Sequence, residues 1–202
     1  MKKLIISLLW VFVMGSSVYA TPIVWSVNNH SYDLVTTSIS WYDAKAGAES
    51  LGGYLATIIS AEENEFLRSS FYTGQSSNFA WVGGFEPNDD GVWKWVTGPE
   101  TGIQFSIGNI PTPPFNYANW GGIEPNDRQS SEDYAMYNIG LTFAGISPGQ
   151  WADAEPIPSN FDPVIGYLVE YNAAAPIPEP ATVSLLGLGL AGLVFRKKSV
   201  KL

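Results

Sequence analysis

The run Trp120-Gly-Gly-Ile-Glu124-Pro125-Asn126-Asp127, followed by Glu132-Asp133 and later by Trp151-Ala152-Asp153, gathers carboxylate and amide oxygens into one region, with Arg128 the nearby basic side chain. Calcium takes about six to eight oxygen ligands, mainly carboxylates and amide or backbone carbonyls, so this composition suits Ca2+ better than zinc or a transition metal. Glu124, Asn126, Glu132 and Asp153 are the candidate ligands; Ala152 can offer only its backbone carbonyl. Catalysis finds little support. The chain has no cysteine and one histidine, His30 in an Asn-Asn-His turn, so nucleophile and triad chemistry lack a thiol or a partnered base. Zinc hydrolysis lacks His and Cys ligands. Glu124 and Glu132 could form a glycosidase pair, but carboxylates placed to chelate calcium have depressed pKa values and make poor general acids. No enzyme is expected.

The elements that must position these side chains follow from local patterning. Ser40 with Asp43 resembles a capping box, and Ala44, Ala48 and Leu51 recur at helical spacing until Gly52-Gly53 stops the helix. Ser60 with Glu63 starts a second helix, with Phe66 and Leu67 on its apolar face. Residues 54–59, 80–83, 92–96, 133–139 and 165–171 are short, aromatic or β-branched, and bounded by Gly, Pro, Asn or Asp, as strands are. Two helices with several short antiparallel strands define an α+β domain, with a long irregular loop from about Pro99 to Glu132. A loop of that length in a compact domain is usually functional or disordered.

Seven segments in order resemble the C-type lectin-like domain: Trp41 to Ala44, Gly52 to Ile58, Ser60 to Asn64, Trp81 to Gly84, Gly91 to Gly98, the Glu124-Pro125-Asn126 triplet with Glu132, and Trp151 to Asp153. The resemblance spans roughly Val24 to Asn172. It implies a calcium held by Glu124, Asn126, Glu132 and Asp153, with a cis bond before Pro125. It further implies that Glu124, Asn126 and Glu132 bind two vicinal sugar hydroxyls, of mannose type. The family's final triplet carries Asn where this chain has Ala152, removing one ligand oxygen and one amide donor. Glu86, Asp90 and Asp127 fall where some family members hold an auxiliary calcium, although Pro-Asn-Asp-Asp-Gly is also ordinary turn composition. The family's half-cystine positions read here as Ala48, Tyr134 and Val169, so aromatic packing must hold the core. Trp41, Trp81, Trp93, Trp95, Trp120 and Trp151 are expected in that core rather than stacking on sugar. The rival to a lectin is a scaffold for a protein or extracellular-matrix partner, with calcium structural or absent.

Both ends carry sorting features. Lys2-Lys3, an apolar run from Leu4 to Met14, and Val18-Tyr19-Ala20 compose a signal peptide over residues 1–20. Pro178-Glu179-Pro180, an apolar run over 181–195 and a basic cluster over 196–201 resemble the PEP-CTERM signal of Gram-negative bacteria. That resemblance implies cleavage by an exosortase-type enzyme and a cell-surface or extracellular destination. Fifteen apolar residues span only about 22 Å as a helix, short of a bilayer core of about 30 Å. Membrane contact is expected through this segment alone. The division is therefore 1–20 signal, 21–172 domain and 173–202 sorting segment. Six of the ten basic residues and one of the nineteen acidic ones lie in the terminal segments, which leaves the domain at about −14. Such an acidic surface lacks a nucleic-acid footprint and suits divalent cations.

Overall fold

The protein is described from a computed structural model, which covers residues 21–172. The signal and sorting segments lie outside the described residues.

Helix α1 (Trp41–Ser50) begins where the Ser40 hydroxyl oxygen accepts the Asp43 N–H at 3.1 Å, and Gly52 beyond its end takes a left-handed φ of 81°. Helix α2 (Ala61–Phe71) is capped likewise: Ser60 Oγ accepts the Glu63 N–H at 3.1 Å, while the Glu63 carboxylate reaches back to the Ile59 N–H at 2.9 Å. Both starts are the ones the sequence predicts. The inner face of α2 is more polar than Phe66 and Leu67 suggest, because Glu63 and Asn64 are buried beside Leu67.

Ten strands form one sheet: β1 (Ile23–Trp25), β2 (His30–Val35), β3 (Tyr54–Leu55), β4 (Phe79–Phe85), β5 (Val92–Trp95), β6 (Gln104–Ile107), β7 (Ile110–Pro111), β8 (Tyr134–Asn138), β9 (Trp151–Ala154) and β10 (Val164–Tyr171). Seven run in the order β1-β2-β10-β4-β5-β6-β7; β3 joins β10, β8 joins β4, and β9 extends β8. Every named pairing is antiparallel except β10 with β4. The fold class is the expected α+β.

The strands expected over 54–59, 80–83, 92–96, 133–139 and 165–171 form with shifted ends, and five more, β1, β2, β6, β7 and β9, lie outside the expectation. β3 stops at Leu55 rather than Ile59, since the chain must turn into the Ser60 cap. The stretch expected to be wholly irregular from Pro99 to Glu132 contains the β6–β7 hairpin, whose turn uses Gly108 at φ 51° and whose second strand ends on Pro111 at the sheet edge. β9 has too few residues for a period to register.

Alternation along the central strands sends side chains to two cores. One face collects Ala80, Val82, Trp93, Trp95, Phe105, Ala135, Tyr137, Trp151 and Leu168. The other collects Phe79, Trp81, Tyr134, Met136, Ala152, Tyr167 and Val169 against Trp41, Ala44 and Ala48 of α1. All six named tryptophans are buried as expected, and Trp25 packs on Phe66 with ring centroids 5.7 Å apart. Ala48 and Val169 are fully buried, while Tyr134 packs against Trp41 and Phe85 at 5.1 Å each.

Candidate functional site

The loop that carries the acidic run is stitched to β9. Gly121 N–H donates to Trp151 O, and Trp151 N–H to Asn119 O, both at 2.9 Å. Asp153, one residue beyond Ala152 and paired in register with Ala135, then accepts two backbone donors from the loop: Asn126 N–H at 3.1 Å and Asp127 N–H at 2.6 Å. The Glu124–Pro125 bond is cis, as the resemblance implies, and Asp127 adopts φ 46°. The Asn126 amide donates to Glu124 Oε2.

Glu132 arrives from the other side, just ahead of β8. Arg128 holds both of its oxygens: the backbone N–H reaches Oε2 at 2.9 Å and the guanidinium reaches Oε1 at 2.6 Å. The same guanidinium lies 3.4 Å from Asp162 and 4.9 Å above the Phe161 ring. Glu124, Asn126, Glu132, Ala152 and Asp153 all line one cavity of about 90 Å³, together with Arg128, Phe161 and Asp162. That volume admits an ion and a few waters, whose share of liquid is about 30 Å³ each, and not a sugar ring.

Burial first, then the hydrogen-bonded Asp153 carboxylate and finally Glu132, push the Glu124 carboxyl up to about 8, against a smaller lowering by the Asn126 amide. Burial likewise lifts Glu132 to about 7, with Asp153 and Asp162 adding to the rise and the Arg128 backbone and guanidinium opposing it. The expected depression belongs to a metal-bound state; without the cation, desolvation and crowding win. A raised pKa alone would suit a general acid. Glu132 is engaged on both oxygens by Arg128, through the guanidinium at Oε1 and the backbone N–H at Oε2.

As a donor set for calcium, four oxygen-bearing side chains around one small cavity are chemically apt. Among the described residues, however, no three of His, Cys, Asp and Glu converge closely enough to chelate as they stand. The side chains are instead engaged with protein donors. Of the auxiliary residues, Asp90 caps its own turn through the Val92 N–H at 3.1 Å, and buried Glu86 accepts the Gly91 N–H. Asp127 differs, because its buried Oδ1 has no hydrogen-bond partner. Burial raises the Glu86 carboxyl above its ordinary value, and Asp133, Asp127 and Asp89 add to the rise. Asp127, Glu86, Asp89 and Asp133 are thus electrostatic neighbours, and Asp90 points elsewhere. Asp133, from the acidic run, and Asp89, from the Pro-Asn-Asp-Asp-Gly turn, sit beside the candidates.

A second buried acidic group lies away from the loop. Tyr32 donates to Glu63 at 2.5 Å and to Glu170 at 3.2 Å, Thr57 N–H donates to Glu170 at 3.0 Å, and His30 Nδ1 lies 2.6 Å from Glu170 Oε1. His30 therefore has a structural partner, which nothing near it in sequence signals.

Residues 37–156 match the family model of the Lectin C-type domain, and residues 176–198 match the PEP-CTERM protein-sorting motif. The chain is similar to halomucin of Haloquadratum walsbyi, at 36% identity over 117 residues, covering 55% of this chain and 1% of that protein. It is similar to the C-type lectin domain family 4 member M of Symphalangus syndactylus, at 29% identity over 107 residues, covering 53% of this chain and 22% of that one. The chain thus spans a small part of either relative. Among solved structures it resembles the mouse scavenger receptor C-type lectin carbohydrate-recognition domain, with a TM-score of 0.55 and 20% identity over 78% of this chain and 98% of that one. A calcium-independent type II antifreeze protein also shares the fold, with a TM-score of 0.52 and 19% identity over 76% and 93%.

Proposed function

We propose that this chain, which belongs to the Lectin C-type domain family, is an exported, non-catalytic carbohydrate-binding protein that recognises mannose-type vicinal hydroxyls with the help of calcium. The observation that carries the reading is the meeting of Glu124, Asn126, Glu132 and Asp153 at one cavity too small for the sugar itself. Those four side chains would hold the ion, with the Ala152 carbonyl as the one further donor its position offers. Calcium, when bound, supplies open coordination positions for two hydroxyls. The chain's own part is to aim hydrogen bonds at the same hydroxyls: Glu124 and Glu132 accept, and the Asn126 amide donates once released from Glu124. Asp153 fixes the loop backbone beneath them. Asp127, with its partnerless oxygen, supports an auxiliary ion beside Glu86.

The division into residues 1–20, 21–172 and 173–202 belongs to the same reading. The PEP-CTERM motif indicates export and sorting by an exosortase, and we place the protein at the cell surface or in the exopolysaccharide of a Gram-negative bacterium. Among the described residues no helix is long and apolar enough to cross a membrane. Intact-mass measurement of the protein from its host should show residues 196–202 removed; their retention would favour a plain anchor.

Two observations support a second reading, in which the domain is a scaffold for a protein or matrix partner without functional calcium. Ala152 supplies no side-chain oxygen, and Arg128 already neutralises Glu132. Calorimetry with calcium and then with a glycan panel separates the two. Calcium-dependent heat with mannose-type sugars supports the lectin; calcium heat without any sugar response, or neither, supports the scaffold.

A further inference from the structure

Among the described residues, Arg128 is the only side-chain cation lining the candidate cavity; its guanidinium takes Oε1 of Glu132, a proposed calcium ligand, and its backbone N–H takes Oε2. The two partners differ in exposure. The Glu132 side chain is 3% exposed and enclosed, whereas that of Arg128 is 38% exposed and borders solvent. A landing place already exists, since the guanidinium stands over Phe161 at 4.9 Å and 3.4 Å from Asp162, which is itself anchored by Ser159 Oγ at 3.0 Å.

We propose that Arg128 is a tethered cation that neutralises Glu132 in calcium's absence and sets calcium affinity by competing for that carboxylate, moving onto Asp162 and Phe161 when the ion binds. The inference rests on the calcium reading above. It follows from charge and geometry together: the single guanidinium contact on Glu132 Oε1 is a charge-assisted bond, yet a divalent ion with several oxygen ligands outweighs it there. Pairing also lowers the cost of burying Glu132 in the calcium-free protein, because a buried carboxylate left alone is strongly disfavoured. The site would then be ordered before calcium arrives and loaded only where calcium is abundant.

Calcium calorimetry and thermal melting in EDTA, on the exported protein and its variants, test this without any sugar. Arg128→Gln should lower the melting temperature in EDTA and tighten calcium roughly tenfold, the equivalent of one charged hydrogen bond no longer competing. Arg128→Lys should fall between, keeping the charge and losing the planar guanidinium that lies over Phe161. Asp162→Asn should act in the opposite direction and weaken calcium, since Arg128 then has nowhere to go. Its folding does not depend on the fate of the arginine variants. Equal or weaker calcium binding by Arg128→Gln, with wild-type binding intact, overturns the competition and leaves the calcium reading standing. Absence of calcium heat from wild type and all variants overturns both.

Discussion

Glu63 and Glu170 are as deeply buried as Glu132 and Asp153, at 1, 2, 2 and 2% exposure, yet the two pairs are satisfied by different kinds of partner. Around Glu63 and Glu170 stand Tyr32, Thr57, the Ile59 N–H and His30, drawn from β2, the approach to α2 and the sheet itself. Around Glu132 and Asp153 stand backbone donors of a single loop and one half-exposed arginine. The first group is closed by the fold and carries structure. The second opens onto a cavity and depends on groups that can be exchanged, which is what a ligand site requires. Burial of a carboxylate does not distinguish the two groups; the exposure of what satisfies it does.

The largest effect should come from breaking the closed group. Glu170→Ala leaves buried Tyr32 and Thr57 and half-buried His30 around a missing acceptor and should cost about 3 kcal/mol in urea denaturation. The loss should be the same in EDTA and in calcium. A calcium-dependent loss would mean that the two groups are not separate.

Next in size is calcium itself. Binding only the folded state adds RT ln(1 + [L]/Kd), about 2.7 kcal/mol at a hundredfold excess over Kd. Melting temperature should therefore rise between EDTA and millimolar calcium, and in Glu132→Gln that rise should shrink or vanish. An unchanged wild-type melting temperature rejects the site.

Ala152→Asn sharpens the comparison from the side of the open group. Its amide would enter the cavity that Ala152 lines and restore one ligand oxygen and one donor to the sugar. Mannose-type affinity should rise roughly tenfold, about 1.4 kcal/mol, and EDTA should abolish it. Tighter calcium with no monosaccharide bound on a glycan panel would favour the scaffold.

The smallest expected effect is a pH slope. Burial, then the nearby Glu170 carboxylate, raises Glu63 from 4.5 to about 8, against lowering by the Tyr32 and Ile59 hydrogen bonds. Between those values the folded state keeps a proton that the unfolded chain has released. The resulting stability is full below about pH 4.5 and is lost as pH rises toward 8. In saturating calcium, where the loop carboxylates no longer titrate in this range, stability should still fall over that window, by on the order of 1 kcal/mol per pH unit. Glu63→Gln should flatten it.

The difference between the two groups also explains what the sequence could disclose. That Glu124, Asn126, Glu132 and Asp153 belong together was legible because they keep a family's spacing within one short stretch and one later triplet, and the structure brings them to one cavity. Both helix starts were legible because a cap is a local bargain between a hydroxyl and an N–H three residues on. The closed group was not legible: His30 and Glu170 meet across 140 positions, through a pairing of β2 with β10 that no local period announces. Arg128 was visible as a neighbouring charge, but its grip on Glu132 and its stacking over Phe161 depend on a left-handed turn at Asp127 and on a segment more than thirty residues further on. The β6–β7 hairpin was hidden by glycine and proline, whose composition reads as loop.

Ala48, Tyr134 and Val169 fill the positions of the family's half-cystines with packed carbon, and that substitution reaches beyond the core they complete. A domain held this way requires no thiol oxidant on the far side of a membrane and no isomerase to correct its pairings. Its melting temperature should be indifferent to dithiothreitol, and its folded state equally available in a reducing cytoplasm, in an anoxic sediment or in air.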